Sequence, residues 1–327
     1  LAIVALGAAI WLWTHALASP PDEAPITPIP LAGEVREPRA EISGLAWFGD
    51  QLVLMPQFPE RFETDGRGTL FVLERARIEA FLDGDEEGPL EPRRVPVETE
   101  GLVEELPEFD GFEAIVFVGQ RVYATIETRR GDDSAVGWLL AGEVVGDLER
   151  VRLDVAQRAR LRAQNDLPNT GYEALVVHGD RLVAIYETNG EVNPAPRTLL
   201  FDQHQRPRGE LVLDTIEYRV TDATAVDEHG RFWVTNYHWP GAPWQSGACR
   251  LTEEHGQGET HARCATVERL VELRITDERV EPTRTPPLLL ELIDDAHPRN
   301  WEGVVRLGER GFLVATDEHP ESILAFV

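Results

Sequence analysis

One phrase recurs five times along the chain and constrains the fold more than any other feature of the sequence. Each copy joins a β-prone segment, a short glycine-containing turn and a second segment rich in Val, Leu, Ile and aromatic residues, which is typical of a β-hairpin. The copies read ISGLAWFGDQLVLMPQ, FEAIVFVGQRVYATIE, YEALVVHGDRLVAIYE, TDATAVDEHGRFWVTN and WEGVVRLGERGFLVATD. Because the copies recur at irregular intervals, they predict a β-propeller with unequal loops and not a regular solenoid.

Further β-prone segments follow each of the first four hairpins and complete units of four strands. They are GTLFVLE and RRVPVET, VGWLLAGEVV and ERVRLDV, RTLLFDQ and GELVLDT, and VERLVELRI and PPLLLEL. Only SILAFV follows the fifth hairpin, so we expect the segment near ITPIPLAGEV to supply the missing outer strand and remove the exposed sheet edges. The sequence thus predicts an all-β chain, a single five-bladed propeller, with six blades as the alternative if residues 240–292 contain another hairpin.

The first thirty residues differ in composition from the rest. Residues 1–18 form an uncharged apolar run that ends in Ala16-Leu17-Ala18, which is typical of a signal peptide, with a membrane anchor as the alternative. Residues 19–30 are proline-rich and indicate a linker, so the propeller domain is expected over 31–327. We expect export to the periplasm or the extracellular space, and membrane contact only through an anchor. Two short helices are predicted at ERARIEAFLDG and DVAQRARLRAQND.

The charge balance excludes some classes of function. The chain has 31 Lys plus Arg against 58 Asp plus Glu, a formal net charge of -27, so it repels phosphate backbones and is not expected to bind nucleic acid. Because the sequence contains no lysine, mechanisms that need a Schiff-base or P-loop lysine are also excluded.

Equivalent positions at the start of the hairpins carry mostly acidic residues. In a propeller the first strand of each blade lies beside the axis, so these residues are expected to form a ring there: Ser43, Glu113, Glu173, Asp222 and Glu302. Four converging carboxylates repel each other unless a cation lies among them. Because the donors are oxygens only, the ring favours Ca²⁺. The alternative is that these carboxylates accept hydrogen bonds from backbone amides of neighbouring blades.

A second polar layer is expected at the ends of the second strands of the hairpins. It consists of Gln57, Glu127, Glu187, Asn236 and Asp317. Among these, Glu127, Glu187 and Asp317 are candidate catalytic residues, because a carboxylate can take a proton from an attacking water. Loops on the same face add polar groups typical of a binding site for a small anionic molecule. The candidate substrate-binding residues are Arg61, Arg129, Asn189, Asn236 and His238.

The five hairpins opened by Ser, Glu, Glu, Asp and Glu resemble those of the calcium-activated nucleotidases (apyrases), five-bladed propellers with an axial calcium ion. The closing phrase NWEGVVRLGERGFLVATDEHPESILAF resembles the end of bacterial propellers in the group called esterase-like activity of phytase. These resemblances imply a calcium-dependent hydrolase, and together with the apolar leader they predict an exported enzyme that acts on a phosphoester or phosphoanhydride. Asp222 departs from the serine of the nucleotidase pattern. The alternative is a non-catalytic propeller that binds a small molecule, a sugar or a protein, with calcium purely structural.

The two cysteines lie close together in ACRLTEEHGQGETHARC. In an exported protein such a pair predicts a disulfide between Cys249 and Cys264. Because His255 and His261 lie between them, a zinc site is the alternative.

Overall fold

The structure is a computed structural model and describes residues 20–99, 101–129, 135–244, 246–317 and 321–327. The predicted signal peptide or anchor at 1–18 lies outside these residues. Within them, no helix has both the length and the apolar character needed to cross a membrane. The described chain begins with two short strands, β1 (Glu23–Ala24) and β2 (Thr27–Ile29), so the segment interpreted as a linker takes part in the sheets.

The first two hairpins each open a four-stranded antiparallel unit. The first unit contains β3 (Ile42–Phe48), β4 (Gln51–Pro56), β5 (Gly68–Glu74) and β6 (Arg93–Glu98). The second contains β7 (Phe109–Val118), β8 (Arg121–Arg129), β9 (Ala135–Val145) and β10 (Arg150–Leu161). In both units each strand pairs with the next along the chain.

The third and fourth hairpins follow the same plan. The third unit contains β11 (Ala174–His178), β12 (Arg181–Ile185), β13 (Arg197–Asp202) and β14 (Pro207–Leu213). The fourth contains β15 (Arg219–Ala223), β16 (Arg231–His238), β17 (Val267–Ile275), β18 (Arg279–Pro282) and β19 (Leu288–Leu290). Both β18 and β19 pair with β17, so within the described residues the long stretch after β16 extends the fourth unit.

The fifth unit joins the two ends of the chain. Its strands are β20 (Trp301–Arg306), β21 (Phe312–Thr316), β22 (Leu324–Phe326) and, from the N-terminal segment, β2. Thr27 pairs with Phe326 and Ile29 with Leu324 in an antiparallel register, the pairing expected from the missing outer strand. Nearby, β1 pairs in parallel with β19.

The units are arranged in a cycle. The first strands contact one another in the order β3, β7, β11, β15, β20 and back to β3. A cluster of buried apolar residues fills the space between each pair of consecutive units, and another lies between the fifth unit and the first. The chain is therefore an all-β propeller in which the first strands surround the axis.

Tight turns and short helices connect the strands. Gly119 and Gly179 adopt φ 57° and φ 63° in two-residue turns, which require a left-handed residue. The helices are α1 (Arg75–Asp83), α2 (Leu102–Glu105) and α3 (Arg250–His255), with 3₁₀ turns at Glu34–Arg36, Pro38–Ala40 and Pro59–Phe62. The helix expected at ERARIEAFLDG is confirmed as α1.

The helix expected at DVAQRARLRAQND is wrong. Most of this segment belongs to β10, in which Val151, Leu153 and Val155 are buried and the residues between them are exposed. A β-bulge after Asp154 then shifts this alternation, which is why the later part of the strand lacks a simple period-two pattern.

Candidate functional site

A cavity of about 640 Å³ lies where the first strands converge. Its lining includes seven acidic residues, two arginines and three aromatic residues. The acidic residues are Asp110, Glu113, Glu127, Glu173, Asp295, Glu302 and Asp317. The arginines are Arg129 and Arg219, and the aromatic residues are Phe58, Tyr237 and Trp239. Seven carboxylates and two guanidinium groups give this cavity an excess of negative charge if all of them are ionised.

The predicted metal ring is assembled only in part. Glu113, Glu173 and Glu302 line the cavity, whereas Ser43 and Asp222 do not. The hydroxyl of Ser43 contacts the carbonyl of Met55 at 3.5 Å.

Asp222 holds neighbouring units together. Its Oδ2 atom accepts hydrogen bonds from the amides of Val304 at 2.7 Å and Leu45 at 3.4 Å, which belong to the fifth and first units. Asp222 therefore has the role that the sequence analysis gave as the alternative to metal binding: its carboxylate accepts hydrogen bonds from backbone amides of neighbouring units.

Arg219 is the central residue of this site that sequence reasoning missed, along with Asp110, Tyr237, Asp295 and Asn300 of the lining. Its Nη2 atom lies 3.2 Å from Oε1 of Glu173 and 3.9 Å from Oε1 of Glu302, and its Nε atom forms an ion pair with Glu187. The Arg219 side chain is 14% exposed and that of Glu187 is fully buried. A guanidinium thus lies within the acidic ring, so part of the expected cation requirement is met by the chain itself.

A strained segment places Arg219 at the axis. The two preceding residues, Glu217 and Tyr218, adopt φ 54° and φ 65°, the left-handed region that side chains other than glycine rarely adopt. The Glu217 carboxylate accepts a hydrogen bond from the Gly247 amide at 2.7 Å. The phenol ring of Tyr218 packs against the guanidinium of Arg269, 5.2 Å from the ring centroid.

Two buried asparagines fix the backbone of this segment. Asn189 donates to the carbonyl of Tyr218 at 2.7 Å and accepts from the amide of Ile216 at 2.9 Å. Asn236 donates to the carbonyls of Glu217 and Arg219, both at 2.9 Å. Asn189 and Asn236 were expected to bind substrate, but both are 1% exposed. Their amide groups hold this backbone, and Oδ1 of Asn236 also accepts a hydrogen bond from Nε of Arg269 at 2.8 Å, so we assign both a positioning role.

The other expected substrate-binding residues are dispersed. Arg129 lines the cavity and forms an ion pair with Asp110 at 2.6 Å. Arg61 lies outside the lining, where it pairs with Glu41 and stacks over Phe58. His238 stacks on Tyr218, with ring centroids 5.2 Å apart, and lines a separate shallow pocket.

Two of the three expected catalytic residues line the cavity, Glu127 and Asp317. Asn300 bridges the acids near Asp317, since its amide donates to Asp317 at 2.8 Å and to Glu302 at 2.6 Å. In the second polar layer, Gln57 donates to Glu113 at 3.4 Å. The third expected catalytic residue, Glu187, lies behind the lining against Arg219.

Several oxygens at the cavity wall are buried without a hydrogen-bond partner. They are Oε1 of Glu127, Oε2 of Glu173 and Oδ1 of Asn300. A buried acceptor that lacks a donor is energetically costly, so these oxygens favour binding of a cation or a hydrogen-bond donor in the cavity.

Four glutamates of the cavity hold their protons more strongly than ordinary carboxyls do. Burial, together with the nearby Glu187 and Asp110, raises the pKa of Glu127 to about 8. Burial and neighbouring carboxylates also raise the pKa values of Glu113, Glu173 and Glu302 well above their usual range. The pKa of Asp222 is raised as well, by burial.

No preformed metal cage is present in the described part of the chain: no group of three or more His, Cys, Asp or Glu side chains has a suitable arrangement there. The zinc site considered as the alternative at the two cysteines is therefore not formed in the described part of the structure. His261 instead pairs with Glu23 at 2.7 Å. The calcium ion at the axis stays a prediction.

The predicted disulfide between Cys249 and Cys264 is wrong, since both cysteines are free. Cys249 points into the interior, with its Sγ atom 3.1 Å from Nη2 of Arg269, whereas Cys264 lies closer to solvent. Burial raises the pKa of the Cys249 thiol, but the Arg269 guanidinium and hydrogen bonds with Thr252 together outweigh burial and leave this pKa below its usual range.

Comparison with known proteins gives no family. No protein-family model matches the chain, and no curated protein sequence matches it. A glucose dehydrogenase structure is 13% identical, with a TM-score of 0.45 over 90% of this chain and 98% of that one.

Two further solved structures are similar at the same level. The aldose sugar dehydrogenase of Escherichia coli is 11% identical, with a TM-score of 0.44 over 92% of this chain and 98% of that one. A GH43_1 enzyme of Xanthomonas citri is 10% identical, with a TM-score of 0.46 over 92% and 90% of the two chains.

Proposed function

We propose that this chain is a five-bladed β-propeller hydrolase whose axial cavity binds a divalent cation, Ca²⁺, and cleaves a phosphoester or phosphoanhydride. The observation that carries the proposal is the excess of carboxylates over guanidinium groups in a half-enclosed cavity with unpartnered buried oxygens. Such a cavity is stabilised by added positive charge.

Glu113, Glu173 and Glu302 are the residues proposed to hold the cation. They come from three different units, and Oε2 of Glu173 has no hydrogen-bond partner. A donor set made only of oxygens favours a hard cation, and Ca²⁺ tolerates irregular arrangements better than Mg²⁺. Because the carboxylates do not form a preformed cage, binding requires rotation of these flexible side chains. A bound Ca²⁺ would supply positive charge next to an anionic substrate oxygen.

Glu127 is proposed to take the proton of the attacking water. Its raised pKa, about 8, makes the ionised carboxylate a stronger base than an ordinary glutamate. Water then forms a bond to phosphorus, the bond to the leaving oxygen breaks, and that oxygen takes up a proton. Arg129, at the wall beside Asp110, is positioned to contact the anionic group of the substrate, while Phe58 and Trp239 add apolar surface to the cavity.

The proposal is tested by calorimetric titration of the purified protein with Ca²⁺, followed by assays with p-nitrophenyl phosphate, inositol phosphates and nucleoside di- and triphosphates. Glu173→Gln should weaken Ca²⁺ binding by at least about tenfold. Glu228→Gln, at a side chain that is 84% exposed, is the matched control and should bind as the wild type does. Binding without hydrolysis would favour the non-catalytic alternative with structural calcium, and absence of binding would overturn the proposal.

A further inference from the structure

We infer that Arg219 is the resident cation of the axial cavity: it holds Glu173, Glu187 and Glu302 together in the metal-free protein and weakens the binding of an added divalent cation. The part of this inference that concerns an added cation rests on the proposed function. The part that concerns the metal-free protein does not.

The geometry gives Arg219, in the fourth unit, three carboxylate neighbours, two from the third unit and one from the fifth. Glu173 precedes β11, Glu187 follows β12, and Glu302 lies on β20, whereas Arg219 begins β15. Its guanidinium contacts Glu173 and Glu187 and lies 3.9 Å from Glu302. One side chain therefore links the third, fourth and fifth units at the axis.

Few other positive charges face these acids. Among the described residues that line the cavity, the other guanidinium belongs to Arg129, which pairs with Asp110. Removing one partner of a buried ion pair leaves an uncompensated charge, which is strongly destabilising. Without Arg219, the three carboxylates would have to be neutralised by protons or by an added cation.

The backbone conformation of the two residues before Arg219 directs its side chain towards the axis. Glu217 and Tyr218 both adopt left-handed conformations, and the buried amides of Asn189 and Asn236 hold their carbonyls. Strained residues persist where the surrounding structure fixes them, and they cluster at functional positions. Two buried asparagines and two strained residues thus serve to place one guanidinium in the cavity.

An added divalent cation and Arg219 compete for the same carboxylates. Oε1 of Glu173 and Oε1 of Glu302 face the guanidinium, so these oxygens are shared, and two positive groups in one small cavity repel each other. Loss of the arginine charge should therefore make the fold depend on a divalent cation and strengthen its binding.

The experiment compares Arg219→Met with the wild type by thermal melting in chelator and in Ca²⁺, and by calorimetric titration with Ca²⁺. In chelator the variant should melt at least about 8 °C lower, and Ca²⁺ should restore most of this loss. The Kd for Ca²⁺ should fall by about tenfold or more. Arg219→Lys, which keeps the charge, should stay close to the wild type in its Ca²⁺ response.

Two further variants serve as controls. Arg299→Met removes a buried arginine that pairs with Glu268 at 2.9 Å outside the cavity, so it should lower the melting temperature equally with and without Ca²⁺. If Arg219→Met does not fold, Arg219→Met combined with Glu187→Gln restores the local charge balance. This double variant should fold and still bind Ca²⁺ more tightly than the wild type.

The outcomes separate the two proposals. If the wild type binds no Ca²⁺ but Arg219→Met, alone or in the double variant, is stabilised by it, the proposed function falls and the role of Arg219 stands. If neither form of the Arg219 substitution is stabilised by Ca²⁺ beyond the wild type, and the Kd is unchanged, the resident-cation role is overturned.

Discussion

The Nη2 atom of Arg219 lies 3.2 Å from the Oε1 atom of Glu173, with both side chains largely buried at the axis. This ion pair adds a positive charge to a ring that the sequence predicted to be acidic. A ring of acids alone requires an external cation, but a ring that includes a guanidinium is partly compensated by the chain itself. Because carboxylates still outnumber the guanidinium groups, we expect pH, substitutions and added cations to change the stability of the protein.

The stability of the metal-free protein should fall as the pH rises from 5 to 8. The folded-state pKa of Glu127 is raised from 4.5 to about 8, so between these values the folded state binds more protons than the unfolded state, and stability decreases as the pH rises. The charged groups that face Glu127 are Glu187, Asp110, Arg129 and Arg219.

Melting temperatures in chelator across this pH range test the expectation. Glu127→Gln is uncharged at every pH, so its melting temperature should depend less on pH and should exceed that of the wild type at pH 8. Glu228→Gln, at an exposed side chain, should follow the wild type. A wild-type melting temperature that rises steadily from pH 5 to pH 8 would contradict the raised pKa.

Asn189→Ala should destabilise the fold through the segment before Arg219. The substitution leaves the carbonyl of Tyr218 and the amide of Ile216 without their partners, and each buried unpaired group costs about 1–3 kcal/mol. We expect urea unfolding to show a loss of about 2–4 kcal/mol.

Asn236→Ala should have a similar effect, because Asn236 holds two carbonyls of the same segment. The double variant should lose less than the sum of the two single losses, since both asparagines act on one segment. Losses below about 0.5 kcal/mol, typical of surface positions, would mean that neither asparagine positions this backbone.

The sequence predicted the hairpins well because period-two patterns and glycine turns are local signals. β5 and β17 coincide with the predicted segments GTLFVLE and VERLVELRI. It failed at β10, where a bulge interrupts the alternation, and at the disulfide, because the direction in which Cys249 points is set by tertiary packing.

The site was predictable only in part, because tertiary packing also decides which side chains reach the axis. Glu113, Glu173 and Glu302 occupy equivalent repeat positions and do line the cavity. Arg219 lies outside the repeated phrase, and its side chain reaches the axis because two left-handed residues precede it. In the sequence, Tyr218 and Glu217 carry no mark of that conformation, since left-handed turns are usually signalled by glycine or asparagine.

The N-terminal strand should contribute directly to stability. Ile29 is 2% exposed and packs in the cluster between the fifth and first units, so Ile29→Ala should cost about 2–4 kcal/mol in urea unfolding. Thr27→Ala, at an exposed position of the same strand, is the control and should cost less than about 0.5 kcal/mol. A chain that begins at residue 31 should melt at least about 10 °C lower. Unchanged melting would mean that the ring closes without this strand.

The two thiols should behave independently. Alkylation of the native protein followed by mass spectrometry should show rapid modification of Cys264 and slow modification of Cys249, which is 5% exposed. A reductant should leave the melting temperature unchanged, because no disulfide links the two cysteines. A native mass two hydrogens below that of the reduced chain would show that the bridge forms after all.

Gly171→Ala should strongly slow the proposed hydrolysis by displacing the Glu127 carboxylate. A Cβ atom at position 171 would overlap Oε1 of Glu127, so the carboxylate would be displaced from its place at the cavity wall. Loss of a general base lowers a rate by about 10²–10⁴-fold, and Glu127→Gln should cause a loss of the same size. Binding of Ca²⁺ should change by less than about threefold, because the proposed ligands lie elsewhere.

A double-mutant cycle separates this effect from a general loss of structure. In the wild-type background Gly171→Ala should lower the unfolding free energy by about 1–3 kcal/mol, as overpacking does in a dense interior. In the Glu127→Ala background the overlap is absent, so the same substitution should be nearly neutral, and the coupling between the two sites should exceed about 0.5 kcal/mol. Equal losses in both backgrounds would show that position 171 acts on the fold by another route, and retained hydrolysis in Gly171→Ala would remove Glu127 from the proposed reaction.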